Sequence, residues 1–166
     1  MMNGFLNCRV SSDVEELEKL RVLHPWLPGR EHVRPPPEQK QRKLEYFSHI
    51  RDRYVSEADY ALQTVFGFAP EDDPVTGKLK VVVDPKMART RRFDRNLFPY
   101  ALPEGSKHWT MWYMPDQPSD EEVSRDIAHD IGLRTGGSKF EFAWYPNPKM
   151  TIPTVPHVQV FWHRLP

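Results

Sequence analysis

Apolar residues recur along this chain with two periods, and the change from one to the other divides it. Up to about residue 67 they fall three and four apart, the spacing that collects one face of a helix. Val14, Leu17, Leu20 and Leu23 form the first stripe. Ser12 and Glu15 stand at capping-box positions before it, and the helix should stop before Pro25. Leu44, Phe47, Ile50 and Tyr54 predict a second helix from about Glu38 to Val55. Its charged remainder, including Lys40, Arg42, Lys43, Arg51 and Arg53, reads as a solvated face. Ser56 with Asp59 marks a third start, and Ala58, Ala61, Leu62, Val65 and Phe66 give its stripe before Gly67.

Further on, strand-like patterns take over. The β-branched run LKVVV at 79–83 predicts a strand closed by Asp84-Pro85. HWTMWYM at 108–114 carries bulky side chains on both faces, which suits a central strand. At 139–145 Phe140, Phe142 and Trp144 alternate with Lys139, Glu141 and Ala143. At 157–162 Val158, Val160 and Trp162 point one way and His157, Gln159 and Phe161 the other. A helix falls between 114 and 139: Ser119 and Glu122 form a capping box, Val123, Ile127 and Ile131 repeat every four residues, and Gly132 can end it. The polar face made by Asp126, His129 and Asp130 reads as solvent-exposed.

These elements predict an α+β fold: N-terminal helices, then a mixed or antiparallel sheet of about four strands with one packed helix. The strands at 79–83, 108–114, 139–145 and 157–162 should form its centre. Residues 1–37 read as a helix and a proline-rich linker, with Trp26 and Leu27 pinning the linker to a single domain at 38–166.

Composition adds limits. The 166 residues balance 23 basic against 23 acidic side chains, so no global field draws in nucleic acid or an anionic membrane. ARTRR at 88–92 groups three arginines. Exposed charge explains them more simply than a phosphate loop, and no nucleic-acid partner is expected. The single Cys8 suits a reducing compartment, MMNGFLNCRV lacks a signal-peptide core, and no run suits a membrane span. The expected setting is the cytoplasm, with no cofactor; the oligomeric state is not legible.

Several landmarks recur in order: YVSEADYALQTVFGF, N-x-FPY, H-x-x-x-W, WYPNP and IPTVPHVQV. The series, over about residues 44–162, resembles an uncharacterised domain family that includes the fungal N-acetylglucosamine-induced proteins. By this resemblance Asn96, Phe98, Pro99 and Tyr100 match the family's asparagine-aromatic-Pro-Tyr loop, and His108 and Trp112 its following strand. Trp144, Tyr145, Asn147 and Pro148 match its aromatic-Asn stretch, and His157 its last-strand histidine. Many relatives have a second histidine two positions on, where this chain has Gln159. The family name implies an amino-sugar response and no defined reaction.

The candidate site therefore comprises His108, Trp112, Asn147, Lys149, His157 and Gln159, with Trp144 and Tyr145 beside it. Donors and acceptors next to aromatic rings suit a sugar or nucleotide, and the expected function is binding of such a ligand or of a protein partner, with little or no turnover. The alternative is an enzyme. TVPHVQVFW resembles the alternating strand of histidine-triad nucleotide hydrolases and transferases, but Gln159 stands at the nucleophile's position, and His157 is the catalytic candidate if there is one. An assembly subunit is a third class. A metal site at His108 and His157 is disfavoured, because two histidines on separate strands make no ligand spacing signature.

Overall fold

The computed structural model describes residues 20–27, 37–146 and 152–166. The start of the first expected helix, Asn147 and Lys149 lie outside them. Residues 20–23 are helical. Then come α1 (Pro37–Arg53), α2 (Glu57–Thr64), β1 (Glu71–Asp72), β2 (Leu79–Lys80), β3 (Thr90–Arg95), β4 (Lys107–Met114), α3 (Asp120–Thr135), β5 (Phe140–Tyr145) and β6 (His157–Arg164). The fold is α+β.

The main sheet has the order β3-β4-β6-β5, and every neighbouring pair is antiparallel. β4 and β5 therefore run parallel to each other with β6 between them. β4, α3 and β5 follow one another in the chain, but the two strands do not pair with each other.

Both faces of this sheet are covered. On one, Phe93, Trp109, Met111, Tyr113, Phe142, Trp144, Val158, Val160 and Trp162 close over Val123, Ile127 and Ile131 of α3. On the other, Ala143, Tyr145 and Phe161 pack against Leu20 and Leu27, with Trp26, Tyr100 and Leu102 at the margin. Further along that face, Trp112 and Met114 meet Phe47 of α1 and Ala61, Leu62 and Phe66 of α2 or its end.

Two expectations about the strands are corrected. LKVVV does not enter the main sheet. Only Leu79 and Lys80 are extended, and they pair with Asp72 and Glu71 in a separate ribbon. The amide of Val81 donates to Asp59 Oδ1 at 2.8 Å, so a side chain takes up the bond a neighbouring strand would have accepted. The fourth strand of the sheet is instead TRRFDR at 90–95, whose one buried residue is Phe93. An edge strand with charged side chains lacks the apolar alternation of a central one.

The third helix begins as expected, with Ser56 Oγ accepting from the Asp59 amide. In α3 the capping box of Ser119 and Glu122 is complete in both directions. The helix passes through Gly132, however, and ends at Gly136, which takes φ 63° and donates its N–H to the Gly132 carbonyl. Gly136→Ala should therefore lower stability by about 1 kcal/mol, because a Cβ is disfavoured at that backbone angle. A urea midpoint equal to that of the unsubstituted protein would contradict this assignment.

Candidate functional site

The predicted site residues separate into two groups along the face opposite α3. The first lies under the loop that joins β3 to β4. Antiparallel register sets Thr110 opposite Gln159 and His108 opposite Phe161, so His108 and Gln159 are diagonal neighbours. Asn96, just beyond β3, ties the loop to them. Its Nδ2 donates to Gln159 Oε1 at 3.0 Å and to Thr110 Oγ1 at 3.2 Å, and its Oδ1 accepts from the Phe98 amide at 2.8 Å.

His108 is held on every side. The Tyr100 amide donates to Nδ1 at 3.0 Å, which makes Nδ1 the acceptor and leaves the ring proton on Nε2. That proton is donated to Gln159 Oε1 at 2.6 Å. The ring stacks on Phe161 with centroids 4.6 Å apart and lies 4.5 Å from Tyr100. Burial depresses its pKa to about 4, and the Gln159 hydrogen bond opposes this only in part. At neutral pH the imidazole is uncharged, and neither nitrogen is available to move a substrate proton. Gln159 is likewise buried and bonded within the cluster. Asn96→Ala should cost about 2 kcal/mol, since it strands the buried end of the loop without its hydrogen-bond partner; a chemical unfolding curve would show it.

The second group lies two residues further along β6. Trp112 and His157 are direct cross-strand partners and stack with centroids 4.3 Å apart at 30°. His157 Nδ1 donates to the Val155 carbonyl at 2.8 Å, so in the neutral ring Nε2 carries the lone pair. No described residue engages that nitrogen. Burial, and to a smaller degree the positive charge of Lys43, hold His157 below the ordinary histidine pKa, against the Val155 bond. Lys43 was expected on a solvated face. It is instead half-buried, its ammonium 5.8 Å from the Phe47 ring, and burial lowers its pKa.

Trp144 does not join either group. It faces α3, donating its indole N–H to Ser124 Oγ at 2.9 Å, and the sheet separates it from Trp112. Tyr145 is on the site face but is buried against Phe161, 5.8 Å between rings.

Two further clusters were not read as such from the sequence. Glu141 bridges two imidazoles, His24 Nδ1 through one carboxylate oxygen and His163 Nε2 at 3.2 Å through the other. Burial alone would raise its pKa, but the hydrogen bonds from His163 and His24 outweigh that and hold it low. His24 is fully buried, so this contact fastens residues 20–27 to the sheet. On the other face, Arg91 forms paired hydrogen bonds to Asp130 at 3.1 Å each and contacts Asp126 at 3.1 Å, while Tyr113 donates to Asp126 at 3.2 Å. Arg89 pairs with Asp116 at 2.8 Å. The acidic face of α3 is thus a docking strip for β3, and two arginines of ARTRR serve the fold.

Among the described residues no group of three or more His, Cys, Asp or Glu side chains is placed to hold a metal ion. No described helix is long and apolar enough to cross a membrane. No family model and no curated protein matches the chain. One solved structure, the crystal structure of HTC1, shares its fold: the TM-score is 0.50 at 15% sequence identity, over 95% of this chain and 86% of that one.

Proposed function

We propose that this protein binds a small polar ligand, a sugar or nucleotide, with little or no turnover, at the end of the β4-β6 pair beside α1. The observation that carries the reading is the Trp112-His157 stack, in which a neutral imidazole offers an Nε2 that no described residue engages, next to an aromatic face. Such a pairing gives a flat apolar contact and a directional acceptor together, the combination that fixes the orientation of a ring bearing hydroxyls. Of the six residues read from the sequence, Trp112 and His157 meet here, while Asn147 and Lys149 lie outside the described residues. His108 and Gln159 support the site from below, with both His108 nitrogens and the Gln159 amide oxygen engaged internally.

The same features argue for binding over histidine-triad chemistry. In that alignment the attacking position belongs to Gln159, whose amide oxygen accepts from both His108 and Asn96. The ordered motifs supply the proposed kinship with the N-acetylglucosamine-induced family, and the lone Cys8 supports a cytoplasmic setting.

A thermal-shift screen with amino sugars, sugar phosphates, nucleotides and divalent metals tests the proposal. At least one sugar or nucleotide should raise the melting temperature at millimolar concentration, and His157→Phe should abolish that rise while keeping the stacked shape. A screen in which none of these compounds shifts the wild-type protein would overturn it. Mononucleotide and dinucleotide turnover above background, lost in His157→Ala, would favour the enzyme reading instead.

A further inference from the structure

Resting on that binding site, we infer that its ligand carries an oxyanion, a phosphate or carboxylate, which pairs with Lys43, and a hydroxyl or N–H that donates to His157 Nε2. Lys43 lies one helical turn before Phe47 on α1, and Phe47 packs in the same cluster as Trp112. The ammonium approaches the Phe47 ring at 5.8 Å, which brings it to the side of α1 that faces the Trp112-His157 stack. No acidic side chain among the described residues pairs with it. A half-buried cation with no counter-ion among the described residues is costly where it has lost part of its hydration and gained no opposite charge there.

The nearest acid on the helix does not relieve it. Glu45 points to a different strip of α1 and accepts the Gln41 amide at 2.9 Å. On the sheet side, register places Arg92 opposite Trp112. Its guanidinium is hydrogen-bonded to Thr90 Oγ1 and to the Arg91 carbonyl, and carries no acidic partner among the described residues. The cluster that holds Trp112 thus carries a cation from α1, over Phe47, and another from β3, over Phe66.

His157 sets the second requirement. Its Nδ1–H is committed to Val155, and the Lys43 charge opposes its protonation. It meets the ligand as an acceptor, so an oxyanion alone leaves it unsatisfied. A compound with an anionic group and a hydroxyl a few bonds away satisfies both residues.

Isothermal titration of the full chain with matched compounds decides this. The probes are N-acetylglucosamine against its 6-phosphate, adenosine against AMP, and glucose against glucuronate. In at least one set the charged member should bind about tenfold or more tightly than its neutral partner, the strength of a charge-assisted hydrogen bond. The phosphate and carboxylate sets tell which oxyanion is preferred. Lys43→Met should remove that advantage, bringing the charged member's affinity down to that of its neutral partner, whereas His157→Phe should weaken both members. Equal affinity of charged and neutral members overturns the oxyanion inference and leaves the binding site standing. An advantage that persists in Lys43→Met also overturns it. Absence of binding by every probe removes the binding site itself.

Discussion

Acidification from pH 7 to pH 4 is expected to remove about 3 kcal/mol of folding stability through His108 alone. In the folded chain its pKa is depressed from 6.5 to about 4 by burial. The unfolded chain takes up a proton near 6.5 and the folded one does not until about 4, so across that window the unfolded state binds more protons. Stability is fully present above 6.5 and is lost as pH falls toward 4, with no further loss from this group below. The residues around the ring are Asn96, Tyr100, Gln159 and Phe161, none of which supplies an anion to stabilise an imidazolium. His157, also depressed by burial, adds to the effect in the same direction. Glu141 and Asp130, held below their ordinary values of 4.5 and 3.8, contribute their losses only at lower pH. Urea unfolding at half-unit pH steps reads the slope directly. A profile that stays flat between pH 6.5 and 4.5 would show that His108 is solvated, and with it that the Asn96 loop is not closed.

α2, α3 and three of the four main strands are legible in the pattern because each buries an apolar stripe of its own. In α1 the expected stripe is only partly buried, with Ile50 inside and Leu44 exposed. Val123, Ile127 and Ile131 repeat every four residues and all three are fully buried. The alternation in β6 separates two faces correctly, and the structure adds that both are covered. β3 escaped because Arg91 and Phe93 share a face on which ion pairing with Asp126 and Asp130 does part of the work of apolar contact. Such a strand is written in charges three dozen residues away, which no local period displays. LKVVV misled for the converse reason. Its β-branched composition suits a strand, but Asp59 takes the Val81 amide and Val82 faces solvent.

The candidate site was legible as residue types and only partly as geometry. Register alone pairs Trp112 with His157 once β4 and β6 are neighbours. What the sequence does not carry is the fate of each polar atom. His108 and Gln159 have the chemistry of a site, and the Asn96 loop converts them into a sealed network. Lys43 looked like one basic residue among several on a wet helix face. Its half-buried position follows from the way Phe47 and Ile50 turn α1 onto the domain, which is a packing outcome.

Ile127→Ala is expected to cost about 2–5 kcal/mol, the range for emptying a fully packed aliphatic site. Ile127 is wholly buried where α3 crosses the sheet, among Trp109, Met111, Tyr113 and Trp144. These large side chains are held by their own strands, so they cannot collapse far into the space left. Leu133 on the same helix is 71% exposed, and Leu133→Ala should change stability by no more than about 0.5 kcal/mol. Equal costs for the two would mean that α3 meets the sheet through another face. The pair also separates fold from function. Ile127 and the Trp112-His157 stack lie on opposite sides of the sheet, so Ile127→Ala should lower the melting temperature while leaving the affinity of its folded fraction for a charged ligand unchanged. Lys43→Met should do the reverse. If ligand affinity instead falls with Ile127→Ala in protein that circular dichroism shows to be folded, the site depends on the α3 side of the sheet and is not a local property of β4, β6 and α1.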